Sequence, residues 1–520
     1  MTRPGRAAGL VLCAVILLHS GSGAAPAPQL RGVEGLLRAY DSILEARFND
    51  VDADLDRACP PAPQEACEVL GATALWWRIQ LDPHSRALDA DLSTAVERAI
   101  TATEAWVARA PAEAEAWFYL GGAYAVRVQW RVLRDQRLAA ARDGKRILTA
   151  LERAVALDPT LDDAYFAMGM YKYYADVAPR AAKFLRVLLR LPGGDRKVGL
   201  AQMLRVRARG KLLRGEADYQ LHIIYLWYEQ QTAKALEILE DLRREFPGNP
   251  LFPAEIARIQ DEYLHDPTTS LQSWRSLLAA ARDQRVNEPA LTEVRARLAI
   301  AQLLETLHDT DRAIEHLEAV AALRSKAPFG ALALAHMRLG EAHDRLGDRE
   351  AALAAYRTAA STVSYPDVHA VRTTVAARTR RAPDARESEA YRLSLEGWRR
   401  FEKHDLASAR PALERSLALN AADPVAHFRM GKVLQAARED PRALAEYEAA
   451  IRGARSCPSP ILGAAYLEAA RLHERAGRRE QAVSLYRVAA SLLGAAADTR
   501  AAATRALTRL GASATGTSRG

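Results

Sequence analysis

Apolar residues recur along the chain at the spacing of helices that bury one face. In one stretch Phe184, Leu185 and Leu188 share a face, while Lys183 and Arg186 lie opposite. Long alternating runs of Val, Ile and Thr, which are typical of strands, do not occur in the sequence. Ala, Leu, Arg and Glu dominate, and all four favour helices. The pattern predicts an all-α protein, and its 520 residues exceed what one hydrophobic core usually supports.

A fixed spacing of small and aromatic residues repeats along the chain. Alanine follows glycine by twelve positions, and an aromatic residue follows four positions later, at Gly340, Ala352 and Tyr356 and again at Gly431, Ala443 and Tyr447. Ala409 precedes Ala443 by 34 residues, and the second half of the pattern recurs at Ala482 and Tyr486. This period indicates stacked helical hairpins, each leaving an apolar face for its neighbour to cover.

These positions resemble the tetratricopeptide repeat, whose pattern is W-x₂-L-G-x₂-Y, then A-x₃-F-x₂-A, then P. The segment Trp117-x-x-Leu120-Gly121-x-x-Tyr124 carries the first half. Its second half arrives late, around Ala154, so this hairpin should have unusually long helices. The resemblance implies a right-handed superhelical solenoid of antiparallel helix pairs. In such a solenoid the small residues allow close helix contact, and the aromatic fills the gap against the next repeat.

The regularity of the repeat varies along the chain and predicts its organisation. We expect a signal peptide at 1–24, a divergent helical array at 25–360, a spacer or hinge at 361–388, a regular array with a C-terminal capping helix at 389–510, and a disordered tail at 511–520. A narrower resemblance lies within 165–230, where Gly169, Pro179 and the run from Leu191 to Leu200 look like the tetratricopeptide repeat protein 39 family. That resemblance implies an architecture and no mechanism.

The first residues have the features of an export signal. Arg3 and Arg6 precede an apolar run of about 12 residues, and Ser22 and Ala24 suit a signal peptidase that cleaves after Ala24. A membrane-spanning helix needs roughly 20 apolar residues, which is longer than this run. With the Arg- and Ala-rich composition, the signal predicts an exported, periplasmic bacterial protein. The alternative is an uncleaved segment that holds the chain at the inner membrane.

Three cysteines remain after such a cleavage. Cys59 and Cys67 flank a proline-rich turn that should join two antiparallel helices. A disulfide between them would staple this hairpin in an oxidising compartment, and two free buried thiols are the alternative. Cys457 is left without a partner. No Cys or His cluster has the spacing of a zinc site, so we expect no metal and no cofactor.

The positive charge of the chain is concentrated in one segment. The formal net charge is +8, yet residues 180–214 hold eleven Arg or Lys and one acid, Asp195. A nucleic-acid-binding protein would be basic more generally, so we expect no nucleic-acid partner. The basic surface is predicted at Lys183, Arg186, Arg190, Arg205 and Arg207. It could lie on an anionic membrane or hold an acidic partner, and the alternative is a helix pair whose arginine stems cover the core.

A concave groove is the second candidate site. In the tetratricopeptide repeat family the first helix of each pair usually contacts the ligand. The residues predicted there are Tyr391, Trp398, Phe401, Phe428, Lys432 and Arg471. Aromatics with flanking cations suit an extended or acidic peptide. The alternative is that these aromatics pack between repeats.

Catalytic motifs fail on inspection. The tail from Gly516 to Gly520 matches G-x-S-x-G but has no strand before it or helix after it. His336 and His343 are seven residues apart, whereas helical metal sites place histidines four apart. We therefore predict no catalytic residue, and expect an exported scaffold that binds a protein partner in its groove. The alternative is a membrane-surface or envelope-assembly protein that docks through 180–214. The client, the pathway and the oligomeric state are not encoded in any recognisable motif.

Overall fold

The computed structural model describes residues 30–179, 183 and 192–513, and within them it contains 24 α-helices and no strand. The first twelve are α1 Val33–Leu44, α2 Val51–Ala58, α3 Gln64–Leu81, α4 Asp89–Arg109, α5 Ala114–Leu133, α6 Arg137–Leu157, α7 Tyr165–Val177, α8 Arg196–Arg209, α9 Arg214–Ile223, α10 Thr232–Glu245, α11 Leu251–Glu262 and α12 Pro267–Arg282. The other twelve are α13 Pro289–Thr306, α14 Thr310–Leu323, α15 Ala331–Leu346, α16 Arg349–Thr362, α17 Val371–Arg380, α18 Ala385–Glu402, α19 Leu406–Leu419, α20 Pro424–Ala436, α21 Asp440–Arg452, α22 Ser459–Arg475, α23 Arg479–Ser491 and α24 Ala497–Arg509.

Local sequence signals fix several helix ends. Asp405 accepts a hydrogen bond from the Ser408 backbone at 3.0 Å before α19, and Asp423 accepts one from Val425 at 2.9 Å before α20. Such caps satisfy backbone N–H groups that have no partner inside the helix. Gly347 ends α15 with φ +85°, a left-handed conformation that glycine adopts without steric cost. These short, capped turns place successive helices antiparallel.

The helices pack as successive pairs, and the pairs stack. The first helix of a pair also contacts the first helix of the next pair, as in α1, α3 and α5 and again in α15, α18, α20 and α22. Helix α17 has no such pair and packs against α15 and α16, while α24 closes the array against α22 and α23. The predicted fold class is confirmed as an all-α superhelical solenoid of antiparallel helix pairs. Helices α5 and α6 have 20 and 21 residues, as the late second half of their repeat predicts.

Glycine and tyrosine close the regular hairpins. A Cβ atom on Gly431 would lie 2.6 Å from Cε1 of the buried Tyr447, so only glycine lets this ring lie against the helix. The Tyr447 hydroxyl donates to Gln435 at 2.6 Å, and the Tyr356 hydroxyl donates to Asp344 at 3.0 Å. Each ring therefore packs first on the glycine of its own pair. The repeat pattern predicted instead that this aromatic residue fills the gap against the next repeat.

Early helix pairs of the solenoid meet much later pairs through their turns. The backbone N–H of Gly248 donates to the Glu45 carboxylate at 2.7 Å, and the backbone N–H of Phe329 donates to Asp82 at 2.9 Å. Glu45 and Asp82 each follow the first helix of an early pair. Gly248 and Phe329 each lie in a turn between two later pairs. These contacts join residues more than 200 positions apart.

The predicted spacer at 361–388 is partly helical and is held against its neighbours. Val371 and Val375 of α17 are buried in the core of the preceding pairs. The Ser388 hydroxyl donates to the backbone oxygen of Asp344 at 3.0 Å. The described part of this segment is thus packed on both sides, and its role as a hinge stays a prediction.

A disulfide joins Cys59 and Cys67 across the turn between α2 and α3. It links the first helix pair to the second at the start of the solenoid. Cys457 is a free, buried thiol, and burial raises its pKa to about 12. At neutral pH this thiol is protonated and is therefore a poor nucleophile.

Candidate functional site

The concave side of the last pairs forms an open groove with a volume of about 790 Å³. Helices α20 and α22 supply most of its floor, and α24 supplies one wall. The lining residues are Phe401, Lys432, Gln435, Ala436, Glu468, Arg471, Glu474, Arg475, Tyr486, Ala502, Arg505, Ala506 and Arg509. Because α24 follows the last pair, the groove is closed at one end and open toward α18.

Three of the six predicted groove residues line this groove, namely Phe401, Lys432 and Arg471. Trp398 and Phe428 pack between pairs instead, with ring centroids 6.4 Å apart. The Trp398 ring also stacks on Phe401 at 5.1 Å. Trp398 and Phe428 therefore support the floor of the groove from behind, and Phe401 is the aromatic that reaches it.

Tyr391 lies in a different place from the other predicted groove residues. Its hydroxyl is 2.8 Å from the Thr310 hydroxyl, and its ring is 5.6 Å from the His308 ring. The N-terminal half of α18 packs against the turn before α14, whereas its C-terminal half packs against α20. Helical spacing alone placed Tyr391 with Trp398. The break in the repeat at 361–388 was predicted, but the packing of α17 against α15 and α16 was not.

Charged groups in the groove are unevenly paired. The Glu468 carboxylate serves both Lys432, at 3.3 Å, and Arg471, at 3.1 Å. Arg475 pairs outside the groove lining with Asp440, at 3.2 Å. One carboxylate thus neutralises two cations, which leaves the floor with an excess of positive charge.

A second carboxylate joins three helices at the closed end. Glu474 of α22 accepts a hydrogen bond from the Tyr486 hydroxyl of α23 at 2.7 Å and pairs with Arg509 of α24 at 2.8 Å. These two donors lower the pKa of Glu474, the Tyr486 hydrogen bond being the larger cause. The carboxylate is therefore ionised at neutral pH and holds α24 in position as the wall.

Sequence reasoning missed the wall of the groove. Ala502, Arg505, Ala506 and Arg509 all line it, and they recur at the spacing of one helical face. This stripe was visible in the sequence, but the helix was interpreted only as a cap of the array, and no groove residue was predicted on it. The short side chains of Ala502 and Ala506 leave room beside them for the longer side chains of Arg505 and Arg509.

A larger cavity of about 1150 Å³ lies where α17 interrupts the stacking, and Tyr391 and His308 line it. Its charges largely neutralise each other, as in the pairs Arg345–Glu305 at 2.9 Å and Arg378–Glu341 at 3.3 Å. Burial lowers the pKa of His308 to about 4, so this imidazole is neutral. Four Arg and six Asp or Glu side chains line the cavity, so its lining has an excess of negative charge.

The predicted basic surface is largely paired where the structure describes it. Lys183 lies 3.6 Å from Asp176, and Arg205 lies 2.6 Å from Asp162. Arg207 reaches Asp218 at 3.2 Å and Asp241 at 3.0 Å. The other two predicted residues, Arg186 and Arg190, lie outside the described residues. The described cations of this stretch therefore also serve to join neighbouring helices.

Exposed aromatic side chains lie near this stretch. The backbone of α9 continues into a π-helical turn, Ile224–Tyr228, in which Trp227 is 54% exposed. Tyr263, at the end of α11, lines a shallow pocket beside it. No helix in the part of the chain described here is long and apolar enough to cross a membrane.

The described residues hold no group of three or more His, Cys, Asp or Glu side chains that could bind a metal ion. The G-x-S-x-G match at 516–520, which the sequence analysis rejects as a catalytic motif, lies outside the described residues. The groove combines an aromatic side chain, Phe401, with the cations Lys432 and Arg471 on one open surface.

Comparison with protein families identifies one of the hairpins. Residues 333–362, which span most of α15 and all of α16, match the family model described as a tetratricopeptide repeat. This hairpin is therefore similar to a tetratricopeptide repeat. The same glycine and tyrosine packing recurs in α20 and α21, so the geometry of this hairpin is repeated in a helix pair beside the groove.

Solved structures with tetratricopeptide repeats are similar over most of the chain but distant in sequence. The TPR2AB domain of yeast Sti1 in a complex with pHSP90 is 15% identical, covers 57% of this chain and 96% of that chain, and has a TM-score of 0.21. Yeast Tom70 is 12% identical over 92% and 95% of the two chains, with a TM-score of 0.25. A human IFIT1 dimer with m7Gppp-AAAA is 14% identical over 81% and 94%, with a TM-score of 0.33. No curated protein matches the sequence. We take no ligand or partner from these likenesses.

Proposed function

We propose that this protein is a non-catalytic scaffold that holds a segment of a partner protein in the groove formed by α18, α20, α22 and α24. The observation that carries the proposal is the supported, solvent-facing floor, where Phe401 lies beside Lys432 and Arg471. Tetratricopeptide repeats bind proteins, and stacked hairpins of this kind form extended concave surfaces for that purpose. The rigid backing of Trp398 keeps the aromatic in place before a ligand arrives.

The scaffold acts outside the cytoplasm in this proposal. The export signal predicted at 1–24 is one support, and the disulfide between Cys59 and Cys67 is another, because such bonds persist mainly in oxidising compartments. The periplasm of a bacterium is the compartment that the sequence favours.

Site-specific crosslinking tests the groove. Ala436 is exposed on the floor, so a photoreactive benzoylphenylalanine in its place should crosslink a partner protein in cells that produce the chain natively. The matched control carries the same group at Arg452, which is exposed on α21 outside the groove. Mass spectrometry of the adducts should find a partner at the first position and none at the second. Equal crosslinking at both positions would contradict the groove assignment.

Docking on an anionic membrane surface is the second candidate function. The exposed Trp227 and Tyr263 favour it, because tryptophan and tyrosine prefer the interface between lipid and water. In the sequence, residues 180–190 carry four Arg or Lys and no acid.

Flotation with vesicles of phosphatidylglycerol and phosphatidylcholine tests this second candidate. At low salt the mature protein should float with these vesicles and remain unbound with phosphatidylcholine alone. Replacement of Trp227 by Ser should weaken flotation, while replacement of the exposed Tyr365, in the turn before α17, should not. Absence of flotation by the wild-type protein at low salt counts against membrane docking.

A further inference from the structure

The turn that follows α9 exposes an aromatic side chain next to a shallow pocket. The helix passes into the π-helical turn Ile224–Tyr228, in which Leu226 is buried and the next residue, Trp227, is 54% exposed. Exposure of an indole ring to water is unfavourable, so exposed aromatics that lie close together often mark a binding surface. Single π-helical turns inside α-helices are themselves frequent at functional sites.

The pocket beside this turn has a volume of about 540 Å³ and an uncharged lining. Among the residues that the structure describes, those that line it are Leu226, Trp227, Gln230, Thr232 and Tyr263. The side chains of Gln230 and Thr232 make no hydrogen bond within the described part of the chain. They leave an amide and a hydroxyl available for a ligand. The pocket therefore combines two exposed aromatic rings with two neutral hydrogen-bonding groups.

The turn that carries Trp227 is held in place by the residues that follow it. The Tyr228 ring packs against Tyr174, with ring centroids 5.6 Å apart. The Glu229 carboxylate accepts a hydrogen bond from Arg196 of α8 at 2.8 Å. An aromatic surface that is fixed before binding spares the complex the cost of ordering it.

Charged groups near the pocket are engaged with each other. Arg258 of α11 pairs with Glu255 at 2.7 Å and with Glu262 at 2.5 Å, and its guanidinium carbon lies 5.9 Å from the centroid of the Tyr263 ring. The Lys234 ammonium lies over a neighbouring tyrosine ring, 5.2 Å from its centroid. A phosphate or sulfate group would find no charged partner in the lining of the pocket. The site therefore favours an uncharged ligand.

Sugars are uncharged ligands that match both kinds of group in this lining. In a chain of β-linked glucopyranose units the ring substituents are equatorial, so each ring has C–H faces that pack on aromatic rings and an edge of hydroxyl groups that form hydrogen bonds. We propose that the pocket beside Trp227 binds a neutral β-linked glycan. Its rings stack on Trp227 and Tyr263, and its hydroxyl groups pair with Gln230 and Thr232.

This glycan site is independent of the groove formed by α18, α20, α22 and α24, and of any partner protein held there. It competes with membrane docking for the same two aromatic side chains, Trp227 and Tyr263. The experiment therefore has to separate a glycan from a lipid surface.

Saturation-transfer difference NMR on the purified protein tests the proposal. The probes are cellotetraose and chitotetraose, which are soluble β-linked chains of glucose and of N-acetylglucosamine. At least one of them should bind with a dissociation constant of about 1 mM or lower, and the C–H protons of its ring faces should receive the most saturation. The affinity should not change as salt rises, because no charges pair in the site. Maltotetraose is the matched control ligand and should bind more weakly, because its α-linkages curve the chain.

The variant Trp227→Leu should lower the affinity for the β-linked chain about tenfold, because leucine is apolar but has no flat ring. Trp227→Phe keeps a flat face and should stay within about threefold of the wild type. The matched control is Tyr365→Leu, which removes an exposed aromatic ring outside the pocket and should leave the affinity unchanged. Thr232→Val keeps the shape of the side chain, removes its hydroxyl and should weaken binding about threefold. Circular dichroism checks that each variant is folded.

Three results would overturn the glycan site. They are the absence of binding by both β-linked chains, tighter binding of maltotetraose than of either, and equal affinities of the wild type and Trp227→Leu. Vesicle flotation that depends on Trp227, without binding of either chain, would assign these aromatics to a membrane surface instead. The crosslink at Ala436 reports on other helices, so the scaffold function is judged separately from all of these results.

Discussion

Replacing Glu216 by Ala should lower the free energy of unfolding of the N-terminal helices by about 4 kcal/mol. Glu216 of α9 is 3% exposed, and one of its carboxylate oxygens accepts hydrogen bonds from the Tyr40 hydroxyl at 2.8 Å and from Trp77 Nε1 at 2.7 Å. The alanine variant leaves both buried donors without an acceptor and adds a cavity. Hydrogen exchange in α1, α3 and α9 measures the local loss.

Glu216→Gln should not destabilise the N-terminal helices as Glu216→Ala does. The second carboxylate oxygen of Glu216 has no hydrogen-bond partner. The amide keeps the accepting oxygen and removes a buried charge, and it brings two N–H donors to the position of the unpartnered oxygen. Stability at neutral pH should stay within about 1 kcal/mol of the wild type or rise. A large loss in this variant would show that the charge, rather than the acceptor, holds the three helices together.

The same residue should give the protein a specific pH dependence. Burial raises the pKa of Glu216 above its ordinary value of 4.5, although the Tyr40 and Trp77 hydrogen bonds oppose this. The folded state therefore binds the proton more tightly than the unfolded state does. This contribution is fully present below pH 4.5 and is lost as the pH rises through the folded-state value. The difference between wild type and Glu216→Gln isolates it from the other carboxylates.

Replacing Asp143 by Ala should lower the free energy of unfolding by about 3 kcal/mol. Asp143 of α6 is 1% exposed and holds Arg127 of α5 through two hydrogen bonds of 2.9 Å. It also pairs with Arg131 and with Arg146. Without this carboxylate, the buried Arg127 keeps only the more exposed Glu97 as a partner. Urea unfolding followed by circular dichroism measures the loss.

Glu97→Ala is the matched control for Asp143→Ala. It removes a carboxylate from the same arginine, but its side chain is 56% exposed, so the cost should stay below about 1 kcal/mol. Replacing Arg127 by Met together with Asp143 by Leu removes charge and partner at once and should recover much of the lost stability. Equal losses of stability in Asp143→Ala and Glu97→Ala would contradict the view that burial makes the Arg127–Asp143 pair the larger contributor.

Sequence reasoning predicted the all-α solenoid because the repeat is a local signal. Gly431 and Tyr447 are close in sequence, and their contact is repeated by Gly340 and Tyr356, so spacing alone identifies the hairpin. The pairing of Cys59 with Cys67 was equally local. Such features follow from hairpin geometry, which 34 residues are enough to encode.

The groove was only partly predictable, because its composition depends on how pairs stack. Phe401 and Lys432 both line the groove, and both lie on first helices of regular pairs. Tyr391 lies apart from them, because α17 interrupts the stacking beside the first half of α18. The break in the repeat at 361–388 is visible in the sequence, but the packing of α17 against α15 and α16 is not. Arg505 was not predicted, because no helix pair follows a capping helix. The repeat pattern therefore does not show which face of α24 lines the groove.

The contacts between early and late helix pairs limit the number of hairpins that this array can gain or lose. An open solenoid can gain or lose a hairpin anywhere, because each hairpin meets only its neighbours. Here Glu45 must reach Gly248, and Asp82 must reach Phe329. Deleting or duplicating one hairpin between α3 and α10 would bring different turns opposite these carboxylates and leave their hydrogen bonds unmade. The number of hairpins between these contacts is therefore fixed by them. The C-terminal end has a contact of the same kind, because Arg500 of α24 pairs with Asp266 before α12 at 3.3 Å, 234 positions earlier.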